Sequence, residues 1–396
     1  SPSYHRYDAT DYLGVDARLG GPEAFGRMAA ALRARGIRLI VDLVLNHVSD
    51  RHPWFQAALA DPGSPFRRRF RFREDGTWDL WRGHRSLPEL DLADPEVMRD
   101  LVTGEDSVVR SWVRRGADGI RLDCANDLGV AFCAEVARAA KACRRETLVV
   151  GETAHWGAAW LEALDGLQSY VPTQALLDLL MGRIGARQFG AVFARLGAEA
   201  GDKLHRCWTM LSSHDVPRAA TALGGDRRKL ELAILLQFTL PGTPVVYYGD
   251  EVGMAGGADP ANRAPMVWDE AAWDRGLLDL HRRLAALRRE RPELARGTFA
   301  DLSGALDNGV AAFLRTDPQD PRRFCVVAAN PLPEPRASRL FVPASRMFAD
   351  MPMRDLVSGR AVTALPGALD LELGPLEGAV FVPEYEQARY SFAKRL

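Results

Sequence analysis

Three carboxylates stand directly after short apolar stretches, where their side chains could do acid–base chemistry. Asp123 follows GIRL, Glu152 follows VVG and Asp215 follows LSSH. Carboxylates that meet at one site can supply a nucleophile, a general acid and a further charge for an oxocarbenium-like transition state. The pattern therefore predicts glycoside hydrolysis, although carboxylates at the N-termini of surface helices would look the same.

Arg121 lies two residues before Asp123. Because successive side chains of a strand alternate, both point to the same side, and charges on a buried strand are costly unless paired or used. A nearby cation lowers the pKa of an acid, so we expect Arg121 to keep Asp123 ionised, either as a nucleophile or in a structural salt bridge. Glu152 has no cation as close in sequence and would stay protonated as the acid. Asp42 and Asn46 are an even number of positions apart, so their side chains point to the same face of the predicted strand. Asp42 is therefore the expected second partner of Arg121.

His47 and His214 each end a predicted strand, where an imidazole could donate hydrogen bonds to sugar hydroxyls. Zinc is the competing interpretation, but no HxxxH, HxH or Cys/His spacing supports it. We therefore predict no metal site and no cofactor. Calcium bound through Asn46 or through acidic residues of segment 49–94 is left open.

The elements that must position these residues alternate between strands and helices. Apolar runs predict six strands, at 37–45, 119–122, 148–151, 166–171, 208–211 and 244–248. Amphipathic stretches at 22–35, 131–144 and 227–238 predict helices between them. This alternation is typical of an α/β fold with parallel strands. Polar residues follow nearly every strand, which favours a (β/α)8 TIM barrel over a doubly wound sheet.

Segment 49–94 is too long for a simple connection, and its aromatic residues predict a small inserted subdomain. From 297 onward, short alternating runs predict an antiparallel β domain. The predicted domains are a truncated barrel start at 1–48, the inserted subdomain at 49–94, the rest of the catalytic barrel at 95–296, a C-terminal β-sandwich at 297–385 and a tail at 386–396.

The composition excludes several classes of partner. The chain of 396 residues carries 51 basic and 52 acidic residues, which gives no reason to expect nucleic acid or an anionic membrane as partner. No apolar run is long enough to span a bilayer. The five cysteines are an odd number without a CxxC pair, so we expect free thiols and a cytoplasmic location.

An ordered series of segments resembles the α-amylase family, glycoside hydrolase family 13. The segments are YHRYDATDY (4–12), VDLVLNHV (41–48), SLPELD (86–91), GIRLDCAND (119–127), VVGET (149–153), LSSHDVPR (211–218) and PGTPVVYYGDE (241–251). CAND, NHVSDRHPWF (46–55) and LQFTLPGTPVVYYGDEVGM (236–254) are most similar to the cyclomaltodextrinases, neopullulanases and maltogenic amylases. The resemblance implies a retaining hydrolase or transglycosylase that cleaves α-1,4 bonds, with α-1,6 bonds left open, in cyclodextrins, pullulan or maltooligosaccharides.

The resemblance also implies roles for single residues. Asp123 would be the nucleophile, Glu152 the acid/base and Asp215 the transition-state stabiliser. The substrate-binding residues would be His5, Tyr7, His47, Arg121 and His214, with Tyr7 stacking on the sugar.

The sequence departs from the family pattern at Ala154, where a tryptophan is common, and at Asp91, where asparagine is usual. The first two barrel strands and the N-terminal module of the branch are not recognised. Either upstream residues or a partner chain would then close the barrel, so a homo-oligomer is left open. The alternatives are an α-glucosidase, a sucrose-active or isomerising family member, or a non-catalytic sugar-binding scaffold.

Overall fold

The computed structural model describes residues 1–306, 308–344 and 347–385. It divides into two compact units, Ser1–Gln168 and Ser169–Leu396. The predicted tail, 386–396, lies outside the described residues.

The first unit is built on parallel strands that lie side by side in chain order: β1 (Ile40–Leu43), β2 (Gly119–Leu122), β3 (Leu148–Thr153) and β4 (Gly166–Ser169). Its α-helices are α1 (Gly21–Ala34), α2 (Pro53–Ala60), α3 (Pro95–Met98), α4 (Val108–Arg114) and α5 (Ala125–Cys143). A π-helical segment, Arg99–Thr103, follows α3. In the strand register Asp42 stands opposite Arg121, so β1 and β2 bring two charged groups together.

Helix α5 begins six residues before its predicted start and is separated from β2 only by Asp123 and Cys124. Its N-cap is Cys124, which has a left-handed backbone with φ 40°. The helix is then broken at Gly129, where φ is 77° and ψ is 158°. Glycine adopts this conformation without a steric penalty, so the regular amphipathic pattern starts only beyond it. This explains why the sequence pattern predicts the helix from residue 131.

Segment 49–94 has an aromatic cluster of its own. The ring of Phe55, on α2, lies 5.0 Å from that of Phe70, 6.4 Å from that of Phe72 and 5.1 Å from that of Trp78. His52 is the N-cap of α2, and its side chain accepts a hydrogen bond from the backbone N–H of Trp54. Short 3-10 helices, at Arg67–Arg69 and Trp81–Gly83, complete the segment.

The second unit begins with helices and a parallel pair of strands. Its α-helices are α6 (Tyr170–Leu180), α7 (Ala186–Ala200), α8 (Ala219–Ala222), α9 (Arg227–Thr239), α10 (Arg275–Glu290) and α11 (Pro292–Arg296). Strands β5 (Trp208–Met210) and β6 (Thr243–Val245) pair in parallel. Residue 171, predicted as the end of a strand, lies in α6, because Ser169 caps that helix by accepting from the Val171 N–H.

Antiparallel strands fill the rest of the second unit. They are β7 (Thr298–Asp301), β8 (Ala311–Thr316), β9 (Phe324–Ala329), β10 (Arg336–Phe341), β11 (Pro352–Asp355), β12 (Ala361–Thr363), β13 (Ala368–Leu373) and β14 (Gly378–Pro383). One sheet has the order β12-β11-β14-β9-β8-β7, and β10 pairs with β13. Buried residues of both sheets, among them Phe324, Leu340 and Phe381, form one core. The predicted domain boundaries stay predictions.

The guanidinium of Arg315, on β8, is fully buried in this unit. It donates to the carbonyl oxygens of Thr298 at 3.1 Å, Thr239 at 2.6 Å and Gly297 at 3.0 Å. Burial lowers the pKa of Arg315 to about 10. The side chain thus ties the C-terminus of α9 to the start of the antiparallel sheet. In the part of the chain that the structure describes, no helix is long and apolar enough to cross a membrane.

Candidate active site

Arg121 lies at the centre of three carboxylates in the first unit. Its Nη1 is 2.7 Å from Asp42 Oδ1 and 3.0 Å from Asp123 Oδ1. Its Nη2 is 2.8 Å from Glu152 Oε1. The predicted pairing of Asp42 with Arg121 is therefore confirmed. The contact with Glu152, on β3, was not expected from the sequence.

The guanidinium of Arg121 is also fixed by a neutral group, since its Nε donates to Gln168 Oε1 at 3.0 Å. One cation thus faces three carboxylates, and this set of four keeps an excess of negative charge even when one carboxyl group is protonated. Burial raises the pKa of Asp123 to about 7; Arg121 opposes the shift, while Asp42 and Glu152 add to it. The contribution of Arg121 has the sign expected from the sequence, but the cost of burying the charge is larger.

Cys124 connects the two carboxylates that are the proposed nucleophile and acid. Its backbone N–H donates to Glu152 Oε2 at 3.2 Å, and its Sγ lies within 4.8 Å of a carboxylate oxygen of Asp123. Burial raises the pKa of this thiol well above its ordinary value. Glycine is needed before Glu152, because a Cβ at Gly151 would lie 2.8 Å from the Cβ of Ala125. The strand end and the helix start therefore pack closely enough for the N–H of Cys124 to reach Glu152.

His47 follows β1 and is completely buried. Its ring stacks on Trp81 of the insert, with 5.0 Å between the ring centroids. The indole Nε1 of Trp81 donates to Asp127 Oδ2 at 2.9 Å. Burial lowers the pKa of His47 to about 4, so the imidazole is neutral at pH 7. A neutral imidazole next to the carboxylates can donate one hydrogen bond and accept another.

Tyr7 and His5 lie beside the same carboxylates. The hydroxyl of Tyr7 donates to Asp42 Oδ2 at 2.7 Å, and its ring centroid is 5.9 Å from the Arg121 guanidinium. The ring of His5 stacks on that of Tyr7 at 6.3 Å, and His5 Nδ1 accepts from the Tyr7 N–H at 3.1 Å. Of the predicted site residues, the structure brings together Tyr7, Arg121, Asp123 and Glu152, with His5 and His47 at their margin.

The second unit carries the remaining two predicted site residues. His214 Nε2 is 3.1 Å from Asp215 Oδ2, and the hydroxyl of Tyr170 donates to the same oxygen at 3.2 Å. Arg263 Nη2 lies 3.3 Å from Asp215 Oδ1, and Arg263 Nε donates to the His214 carbonyl at 2.8 Å.

Four contact residues were not expected from the sequence: Cys124, Trp81, Gln168 and Arg263. The role of Cys124 depends on its left-handed backbone conformation. A sequence does not indicate this conformation when the residue is not glycine. Arg263 lies in a loop that follows β6, and only its place in NRAPM could have drawn notice. Trp81 lies in the inserted segment, and the structure gives it a hydrogen bond to Asp127 and a stacking contact with His47.

Calcium has little support from the insert. Asn46 donates its side-chain amide to Glu89 Oε1 at 3.3 Å. Asp79 lies 2.6 Å from Arg73 and Asp91 lies 3.1 Å from Arg71, so these carboxylates are neutralised by arginines. A different group of potential ligand atoms does occur among the described residues, on His47, Asp123 and Cys124, within 4.8 Å of one another.

Comparison with known proteins agrees with this geometry. Residues 1–277 match the model of the α-amylase catalytic domain. Neopullulanase 2 of Thermoactinomyces vulgaris is 33% identical over 395 residues, which cover 96% of this chain and 66% of the relative. An intracellular maltogenic amylase of Bacillus subtilis is 28% identical over 304 residues, or 74% of this chain and 51% of the relative. The chain thus spans about two thirds or less of the length of these relatives.

Solved structures match almost the whole chain. A cyclomaltodextrinase superposes with a TM-score of 0.86 and 30% identity, covering 96% of this chain and 66% of that one. The cyclic α-maltosyl-(1→6)-maltose hydrolase of Arthrobacter globiformis gives a TM-score of 0.80 and 29% identity, covering 96% and 82%. These matches confirm the predicted fold class, a (β/α)8 barrel of which six strands lie in this chain, with a C-terminal antiparallel β domain.

Proposed function

Because the chain belongs to the α-amylase catalytic-domain family, we propose that the protein is a retaining α-glucan hydrolase and transglycosylase. Its substrates would be cyclodextrins, pullulan or maltooligosaccharides. One observation carries the proposal: a single buried guanidinium, that of Arg121, contacts Asp123 and Glu152 at neighbouring strand ends. Two carboxyl groups on one guanidinium are close enough for the separation of roughly 5–5.5 Å that a retaining mechanism needs.

In the proposed reaction the Asp123 carboxylate attacks the anomeric carbon of the sugar. The bond to the leaving oxygen breaks as that oxygen takes the proton of Glu152, and a covalent glycosyl-enzyme ester forms. Glu152, now ionised, removes a proton from water or from a sugar hydroxyl, which attacks the same carbon and releases Asp123. Water gives hydrolysis, and a sugar acceptor gives transglycosylation.

The proposed steps assign opposite protonation states to the two carboxyl groups. The reacting form has one proton, on Glu152, and an ionised Asp123. Arg121 stabilises both ionised carboxylates without being able to lose its own proton. Asp215, between His214 and Arg263, is the proposed stabiliser of the transition state. Neutral His47 and the ring of Tyr7 are proposed to bind the sugar, with His5 beside them.

A second candidate substrate class is suggested by one relative. The hydrolase of Arthrobacter globiformis is named for cyclic α-maltosyl-(1→6)-maltose, and this chain covers 82% of its length. A small cyclic tetrasaccharide with α-1,6 links is therefore included as a candidate. The α-glucosidase and sucrose-active alternatives have no contact in the described residues that favours them.

The test combines product release with capture of the covalent intermediate. Reducing-sugar release from β-cyclodextrin, pullulan, maltotriose and cyclic maltosyl-maltose is measured for the protein and for Glu152→Gln. We expect the variant to lose at least a hundredfold in kcat/KM. Incubation with a 5-fluoro-glucosyl fluoride should add one fluoroglucosyl mass to the peptide that contains Asp123.

Glu146→Gln is the matched control, because Glu146 is an exposed glutamate in front of β3. Equal activity of Glu152→Gln and Glu146→Gln would show that Glu152 is not the acid. A folded protein with no release from any of the four substrates and no mass adduct would favour a non-catalytic sugar-binding scaffold.

The proposed location is the cytoplasm. One relative is named an intracellular maltogenic amylase. No disulfide links the five cysteines, all of which lie in the described part of the chain, and this agrees with a reducing compartment. α-Glucans or maltooligosaccharides are the proposed partners, and a homo-oligomer stays a prediction.

A further inference from the structure

We propose that His47, Asp123 and Cys124 form an inhibitory site for a thiophilic divalent cation of the zinc class. Each residue offers one ligand atom, namely a ring nitrogen, a carboxylate oxygen and Sγ, and all three atoms lie within 4.8 Å of one another. A nitrogen, oxygen and sulfur donor set of this kind suits zinc and chemically similar ions. The cation would occupy the proposed nucleophile and exclude the sugar.

The geometry needs only small movements. With zinc bonds of about 2.0–2.3 Å, tetrahedral ligands lie roughly 3.5 Å apart, so the outermost pair has to approach by about 1 Å. Side-chain rotation can supply that distance. Three protein ligands leave the fourth position open for water, as in other zinc sites with an exchangeable ligand.

His47 supplies an independent reason to expect a ligand at this place. The residue has no exposed surface, and the backbone of Tyr7 is a hydrogen-bond partner for one of its two ring nitrogens. The other ring nitrogen has lost its hydrogen bonds to water and gains from any group that satisfies it. A cation next to Asp123 would be such a group.

The local charge also favours a cation. Asp42, Asp123 and Glu152 surround Arg121, so three carboxylates face one positive group. A bound dication would lower this excess of negative charge. On binding, the sulfur of Cys124 forms the metal bond and its proton leaves to solvent, so no other reactant is required.

Cobalt(II) is the probe for binding, because thiolate ligation gives an intense charge-transfer band in the near ultraviolet. The full chain is titrated with cobalt(II) chloride, and zinc chloride is then added to displace it. We expect the band in the unmodified protein and in Cys143→Ala, since Cys143 is a half-buried thiol of the same helix. The band should be absent in Cys124→Ser, which keeps a hydrogen-bond donor but removes the sulfur.

If Cys124→Ser does not fold, Cys124→Ala replaces it, and the presence of the band in the unmodified protein is itself a test. Absence of the band there, or its persistence without Cys124, would overturn the proposal. This readout does not depend on catalytic activity, so its failure is distinguishable from failure of the proposed function.

The inhibitory effect rests on the proposed function and is measured separately. Zinc chloride should inhibit maltotriose cleavage in competition with substrate. For each variant the inhibition constant of zinc is determined against that variant's own uninhibited rate. Relative to the unmodified protein, this constant should rise at least tenfold in Cys124→Ser and stay unchanged in Cys143→Ala. Zinc inhibition of equal strength in both variants would show that the cation acts elsewhere.

Discussion

His52 is expected to make the insert sensitive to acid. It is the N-cap of α2: its Nδ1 accepts a hydrogen bond of 3.1 Å from the Trp54 N–H, and its ring is 5.7 Å from that of Tyr12. Burial lowers the pKa of His52 from 6.5 to about 4. Protonation would turn the accepting nitrogen into a donor, so the charged form cannot keep the cap.

The sign and size of the effect follow from the two pKa values. Between pH 6.5 and about 4 the unfolded chain binds a proton at His52 that the folded chain does not, so acid favours the opened form. The full stabilisation is present above pH 6.5 and declines as pH falls. At pH 5 the expected loss of opening free energy is at most about 2 kcal/mol.

Hydrogen–deuterium exchange of peptides covering 53–60 measures this local opening at pH 7.5 and pH 5. His52→Asn keeps a good N-cap without a titrating group and serves as the reference, so the intrinsic pH dependence of exchange cancels. We expect the difference in opening free energy between the two proteins to grow by about 1–2 kcal/mol on going from pH 7.5 to pH 5. His84→Asn, at an exposed histidine of the same insert, should behave as the unmodified protein.

A pH-independent difference between the unmodified protein and His52→Asn would refute this reasoning. It would mean that His52 is not buried in a neutral form, or that α2 opens without exposing the imidazole.

Three further outcomes follow from the same contacts. Arg121→Met should lower the free energy of unfolding by about 3–5 kcal/mol at pH 7.5, and by less at pH 5.5, where Asp123 can take up a proton. Trp81→Phe should lower kcat/KM five- to tenfold, because the phenyl ring keeps the stacking on His47 but loses the hydrogen bond to Asp127, worth about 1 kcal/mol. Arg315→Met should cost about 3–5 kcal/mol in thermal or urea unfolding, since it leaves buried carbonyls without donors.

Each of these variants has a control that differs in one property. Arg138→Met removes an exposed ion pair on α5 and should cost less than about 1 kcal/mol. Trp78→Phe changes a tryptophan of the same insert whose Nε1 has no partner among the described residues, so it should leave kcat/KM nearly unchanged. Arg339→Met removes an exposed pair on β10. An effect of equal size in a variant and its control would contradict the reasoning for that pair.

The strands were predictable because burial selects apolar residues, but burial alone does not set strand ends. The run at 37–45 predicts nine residues of strand, whereas β1 is Ile40–Leu43. Leu45 lies outside the strand and is still completely buried. Apolar character therefore reports contact with the core, which continues into the loop that carries His47.

Helix α7 was not predicted from the sequence, because it contains residues that disfavour helices. It contains Gly190 and Gly197, and glycine lowers helix propensity. The structure explains one of these glycines by packing, since a Cβ at Gly190 would lie 2.0 Å from a carboxylate oxygen of Asp301 on β7. The sequence pattern cannot reveal this contact, because the two residues are more than a hundred positions apart.

The alternation of side chains along strands was enough to predict that Arg121, Asp123 and Asp42 lie together in the candidate site. Beyond those residues the site depends on a backbone conformation. A left-handed residue without glycine costs roughly 1 kcal/mol or more, and Cys124 adopts it with φ 40°. That cost is offset by the hydrogen bond from its N–H to Glu152.

The position of Cys124 also limits which residues can replace it. A β-branched side chain is strained in the left-handed region, so Cys124→Val should shift the N–H away from Glu152, whereas Cys124→Gly relieves the strain and removes the thiol. Comparing the two separates backbone from side-chain contributions. If the N–H is what orients Glu152, Cys124→Gly retains more of kcat than Cys124→Val does; the reverse order would assign the orientation to packing around the side chain instead.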